Sequence, residues 1–230
     1  MTDILGITIH EVGVAITDLV LFAESFLFAY LLGHKDTISI LLKKLFMVMF
    51  LSLAASSFLG AIFHAFFPAK LSTTAGFGMW ILVTASIGVT ASAIWCINAL
   101  LIKGEGLLRL VFPLSVLYLA TLVYWVAFID HSFFIIILFY LPAIVVFILI
   151  SLFMYLRNHK KAWAYLFAGL TLSLLAATVQ QSGIVIHPRY FDHNALFHVI
   201  QAVALLLIFL GARFLLLLNQ PSGIKSFSID

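Results

Sequence analysis

An α-helix rises about 1.5 Å per residue, so about 20 consecutive apolar residues cross the roughly 30 Å hydrocarbon core of a bilayer. The sequence contains seven stretches of that kind. They run approximately Val12–Leu32, Lys44–Phe67, Ala75–Leu101, Leu107–Phe128, Phe133–Leu156, Ala162–Ile186 and Asn194–Leu218. Polar or glycine-marked joints separate them, such as Gly33-His34-Lys35-Asp36, Lys103-Gly104-Glu105-Gly106 and Arg157-Asn158-His159-Lys160-Lys161. Alternating strands of about ten residues, the mark of an outer-membrane barrel, are absent from the pattern. The sequence therefore predicts an all-α integral membrane protein, a seven-helix bundle forming one domain over residues 1–230. No basic region precedes the first run, which reads as a permanent helix and not a cleaved signal.

Composition closes the alternative. With 64% hydrophobic and 9% charged residues and a mean hydropathy of +1.22, the chain falls far short of the roughly one-quarter charged residues of a soluble surface. A soluble enzyme and a nucleic-acid module are excluded. The formal charge of +3 reads as a topology signal, because Lys and Arg are retained on the cytoplasmic side. Lys35, Lys43, Lys44, Lys103, Arg109, Arg157, Lys160, Lys161, Arg213 and Lys225 fall on one face, against Lys70 and Arg189 on the other. This asymmetry predicts an outside N-terminus and a cytoplasmic C-terminus, in a plasma membrane or a bacterial inner membrane. The single cysteine, Cys96, sits in an apolar run and reads as a small buried hydrophobe.

Loops of a few residues leave any function between the helices. His10, His64, His131, His187, His193 and His198 lie toward the outer face, and only His34 and His159 lie inside. His64 and His198 differ from the rest because apolar residues surround them, each about one turn inside its helix. Asp18 lies about 9 Å down the first helix, and Gln180 and Gln181 lie at a similar depth on the sixth. Ionisable groups at such depth cost at least about 2–3 kcal/mol unless paired, so they face the bundle interior. Asp18, His64, Gln181, Asn194 and His198 are thus expected to form an outer-half polar chamber, with Ser57 lining it below His64. Glu24 is deeper, level with Ser56, Ser57 and Thr84, and is expected to be protonated or bonded to such hydroxyls.

Asn194 and His198 are i and i+4, on one helical face. With His64 opposite, two imidazoles have the chemistry to hold Zn²⁺, a third ligand coming from His193, from Asp18, or from Asn194 through a water. A catalytic zinc keeps one position for water and lowers its pKa toward about 7, which is hydrolase chemistry.

The segment Ser56-Ser57-Phe58-Leu59-Gly60-Ala61-Ile62-Phe63-His64 and the motif Asn194-Ala195-Leu196-Phe197-His198 resemble the superfamily of alkaline ceramidases, progestin/adipoQ receptors and Per1-like proteins. That family sets a Ser and a His one turn apart on helix two, an Asp on helix three and a His-x-x-x-His on helix seven around a zinc. His64 and His198 match the metal positions, while Gly60 stands in the place of the serine, Asn194 replaces the first histidine, and Ala75–Leu101 contains no Asp. The resemblance implies a zinc-dependent hydrolase acting on an amide or ester bond of a membrane lipid, with Asp18 orienting the water or acting as base. A non-enzymatic member that binds a lipid or small ligand, receptor-like or as an assembly partner, is the alternative. Asp18 and Glu24 also admit a proton-coupled transporter, although no inverted repeat is visible. Haem between His64 and His198 is a lesser option, and retinal is disfavoured because helix seven has no mid-membrane Lys.

Overall fold

The computed structural model describes residues 2–4, 7–67, 70–187 and 191–218, so Arg189 and Lys225 of the charge count lie outside the described residues. A short antiparallel hairpin, β1 (Thr2–Ile4) with β2 (Ile7–Ile9), pairs Thr2 with Ile9. Six helices follow: α1 (Val12–Gly33), α2 (Ile40–Phe66), α3 (Thr74–Phe128), α4 (Phe133–Asn158), α5 (Lys161–Gln181) and α6 (His193–Leu218). By length and composition each can cross a bilayer. The chain is an all-helical membrane protein.

Seven helices are expected from the sequence, whereas six are formed among the described residues. The expected spans Ala75–Leu101 and Leu107–Phe128 lie within the single 55-residue α3. The joint between them is too short to form a loop. Only Lys103 (φ −137°, ψ 19°) and Gly104 (φ 66°, ψ −153°) leave helical dihedrals, and helix resumes at once on either side. The Gly104 conformation is one that a Cβ essentially forbids. Across this break Ser92 Oγ donates to Ser115 O at 3.0 Å, and Cys96 Sγ lies 3.7 Å from Ser115 Oγ. The stretches before and after Gly104 therefore lie side by side.

Two other boundaries move for local reasons. The expected sixth span, Ala162–Ile186, stops at Gln181 because Gly183 takes a positive φ of 67° and Ser182 N and Gly183 N turn back to Thr178 O and Gln180 O. The final helix starts at His193 because Asp192 Oδ1 accepts from both Asn194 N and Ala195 N, each at 3.0 Å, satisfying amides that a helix start leaves unpaired.

Each helix packs on its sequence neighbour, and α1 packs on both α2 and α6, so the helices close into a ring. Leu19, Val20, Phe26, Leu117, Leu149 and Phe153 are exposed although apolar, as suits surfaces that meet acyl chains. Inside, Phe28 and Phe209 stack at 4.3 Å, with Phe50 edge-on to both at 5.6 and 6.4 Å. This aromatic plug lies about 15 Å below Asp18 by the helical rise. At the end of the bundle where α3 begins, Trp80 Nε1 donates to His131 O at 2.9 Å. In the same loop Ser132 N donates to Asp130 at 2.8 Å, which holds that exposed carboxyl below its usual range.

Candidate functional site

Four helices, α1, α2, α5 and α6, carry the polar groups at the end of the bundle where α2 and α5 finish and α6 begins, and helical spacing decides which side chains meet. On α2, Ser57, Gly60 and His64 are i, i+3 and i+7, one face. On α6, Asn194, His198, Gln201 and Leu205 repeat the pattern over three turns. With Asp18 of α1 and Ser173 and Gln180 of α5, they line one cavity of about 590 Å³, completed by Trp80, His131, Tyr140 and a larger set of apolar side chains.

Asp18 and His198 are 4% and 8% exposed. They approach each other closely: His198 Nε2 lies 3.4 Å from Asp18 Oδ1, at the long edge of a hydrogen bond. The other ring nitrogen, Nδ1, sits 2.9 Å from Thr17 Oγ1. The Thr17 hydroxyl proton is directed at its own helix, with Val14 O at 2.9 Å and Gly13 O at 3.1 Å. Thr17 thus offers His198 a lone pair, Nδ1–H donates to it, and the Nε2 lone pair is left facing Asp18 and the cavity. Gly60 makes this possible. A Cβ there would stand 2.9 Å from Asp18 Oδ2, so the missing side chain leaves the space the carboxyl occupies.

His64 lines the same cavity, and its Nδ1 is hydrogen-bonded to Glu11 Oε2 just before α1 begins. The backbone reinforces the contact: His10 N and Glu11 N donate to Ala65 O and His64 O at 3.1 and 3.3 Å. Gln180 Nε2 donates to Asn194 Oδ1 at 3.1 Å, and Gln201 Nε2 to Ser173 Oγ at 3.1 Å.

Asp18, Ser57, His64, Asn194 and His198 are thus brought to one chamber, as their depth and spacing predict. Gln181 is not. It is exposed, and Gln180 takes the place expected of it, because the two differ by about 100° around the helix and only one faces α6. His193, at the first position of α6, is outside the lining. Glu24 is also outside it, and neither Glu24 Oε2 nor Thr84 Oγ1 has a hydrogen-bond partner among the described residues; Ser56 Oγ donates to Leu53 O of its own helix at 2.9 Å. The expected bonds from Glu24 to these hydroxyls therefore do not form.

Sequence reasoning missed Thr17, Glu11, Gln201 and Tyr140. Gln201 was signalled by its i+3 spacing from His198. Thr17 and Glu11 carry no such signal, since their roles depend on which face α1 turns to α6 and on where the chain enters α1. Among the described residues no group of three or more His, Cys, Asp or Glu side chains converges closely enough to hold a metal ion. A zinc ion would meet two facing donors here, Asp18 Oδ1 and His198 Nε2. Their 3.4 Å separation is close to the ligand–ligand edge, about 3.3 Å, of a tetrahedron with bonds of about 2.0–2.1 Å.

No curated protein and no solved structure matches the chain. A family of unknown function (DUF6962) matches residues 14–217, a range that holds all six helices except Val12, Gly13 and Leu218, and every residue that lines the cavity. The chain belongs to that family.

Proposed function

We propose that the chain is a metal-dependent hydrolase that cleaves an amide or ester bond of a membrane lipid in this chamber. The observation that carries the reading is the buried Asp18–His198 approach on the wall of a largely apolar cavity that also holds His64. Buried ionisable groups are costly in a membrane and mark function by default. Asp18 also supplies what the ceramidase-like pattern lacks here: with Gly60 in the serine's position and no helix-three Asp, a carboxylate from α1 fills the space beside His198. In this reading His198 and Asp18 supply the two facing donors for the ion, and His64 lines the same cavity. Bound zinc supplies Lewis acidity, activating a water and polarising a carbonyl. Thr17 fixes the His198 tautomer so that Nε2 faces the chamber. Gln180, Gln201 and Asn194 offer hydrogen bonds to a lipid's polar centre, and Leu21, Ile87 and Ile136 give its chain an apolar wall.

Elemental analysis of detergent-purified protein tests this directly. One zinc per chain supports it. A second reading, a ligand-binding protein without catalysis, is favoured by the Gln180–Asn194 bond and by the lack of a converged three-donor group among the described residues. Protein without zinc that retains a co-purified lipid would establish that reading instead. The role of Thr17 gives a finer check. Thr17→Val is expected to lower zinc affinity by about 10–100-fold, the usual effect of removing a group that orients a ligand, with the fold intact by circular dichroism. Unchanged affinity would remove the orienting role.

The orientation follows the charges. A straight 55-residue helix would be about 80 Å long, so we infer that α3 crosses the bilayer twice, turning at Gly104, and that the chain spans seven times with its N-terminus outside. That places the chamber in the outer half of a plasma or bacterial inner membrane. A thiol at position 2 in a Cys96→Ala background is expected to react with an impermeant maleimide added to intact cells. Labelling only after the cells are opened would reverse the orientation.

A further inference from the structure

The opposite end of the bundle holds a second cavity, of about 950 Å³, that the hydrolase reading does not use. Three of its walls each carry a lysine: Lys44 from α2, Lys103 from the break in α3, and Lys160 just before α5. None of the three forms an ion pair among the described residues. Glu105, the carboxylate on this rim, has Arg109 at 3.8 Å to balance it. The cavity therefore concentrates uncompensated positive charge, and the N-terminal ends of α2 and α5, which open onto it, add positive potential. Behind the lysines the lining is apolar, with Trp163 and Leu42 both 4% exposed. At the rim, Leu41 and Ile102 are exposed and lead to the acyl-chain surface of the bundle.

We propose that this cavity binds an anionic membrane phospholipid, its phosphate held among Lys44, Lys103 and Lys160 and its acyl chain laid along the apolar wall. Basic pockets between membrane helices on the positively charged side suit such headgroups. A soluble phosphate shares the headgroup chemistry but leaves the apolar wall uncovered. Residues 219–230 follow Leu218 at this end, but they carry one Lys and one Asp and have no net charge to complement three lysines.

The full chain in detergent is titrated with phosphatidylglycerol, phosphatidylcholine and inorganic phosphate, and bound lipid is counted by native mass spectrometry. Phosphatidylglycerol is expected to bind at least about tenfold tighter than phosphatidylcholine, with no competition from phosphate. The variant K44Q/K103Q/K160Q is expected to lose that preference. The charge-matched variant K35Q/R157Q/K161Q, altered at the same end but off the lining, is expected to keep it. Equal binding of the two lipids, or equal loss in both variants, overturns the proposal, since attraction would then be absent or diffuse. Full competition by phosphate makes this a soluble-anion site and overturns the lipid assignment. A preference that appears only when the chain is cut after Leu218 makes residues 219–230 the occupant. Should the triple variant fail to fold, Trp163 supplies the readout: phosphatidylglycerol with brominated chains is expected to quench the wild type more than Trp163→Phe, and equal quenching counts against the proposal.

Discussion

His198→Ala is expected to weaken zinc binding by at least about 100-fold and to abolish lipid hydrolysis, measured by isothermal titration and by release of a labelled acyl chain. The expectation rests on two separate losses. Alanine removes the Nε2 donor 3.4 Å from Asp18 Oδ1, and it also empties the position that Thr17 Oγ1 orients from 2.9 Å. Removing an orienting group alone costs about 10–100-fold, so loss of the ligand itself exceeds that. His193→Ala is the matched control. His193 is on the same helix but off the chamber lining, and its replacement is expected to leave affinity within about threefold. Comparable losses in the two variants would mean that the ion, if bound, is held at the mouth of α6 and not beside Asp18.

Gly169→Leu is expected to lower the melting temperature more than any substitution in the chamber, because at this position the backbones of α5 and α6 touch. A Cβ on Gly169 would stand 2.8 Å from Ala204 O and 2.9 Å from Ile208 N. The same approach recurs two turns along the interface, where a Cβ on Gly211 would stand 2.8 Å from Leu166 N and 3.0 Å from Ala162 O. Backbone cannot rotate away as a side chain can, so the helices must separate. Overpacking of this kind typically costs about 1–3 kcal/mol and more where it forces backbone apart. Small residues at helix contacts are a main source of stability in membranes, where lipid is as apolar as the side chains. Gly78→Ala is the control, since no atom lies within 4 Å of the added methyl, and alanine favours helix by about 1 kcal/mol. A thermal shift assay in detergent compares them. If Gly169→Leu melts within about 2 °C of the wild type, the close α5–α6 approach is not a source of stability.

The separation of the two cavities is also something the sequence alone does not reveal. Phe28, Phe50 and Phe209 come from three helices, and nothing in their spacing along the chain marks them as partners. They meet because α1 is held between α2 and α6, at a depth between Asp18 and the lysine-lined end.

What the sequence by itself determined is the class of the molecule and the depth of its polar groups. Uninterrupted apolar length has one physical use, and an ionisable side chain within it has few places to go. Asp18, His64 and His198 could therefore be placed in one chamber before any helix was packed. The tertiary structure decided everything that depends on rotation about a helix axis and on close approach. Gln180 faces inward and Gln181 outward although they are adjacent; Thr17, not Asn194 or His193, holds the second ring nitrogen of His198. Gly60 matters for the room it leaves to a residue 42 positions away. The two expected helices flanking the Lys103–Gly106 joint follow one another with no loop between them, because only Lys103 and Gly104 leave helical dihedrals, Gly104 at a positive φ. Hydropathy marks depth, and a buried charge marks the inward side of its helix, but among equally apolar faces the pattern does not say which neighbour each one meets. Azimuth depends on which backbones come closest, as at the α5–α6 interface, where Gly169 and Gly211 let the two backbones touch.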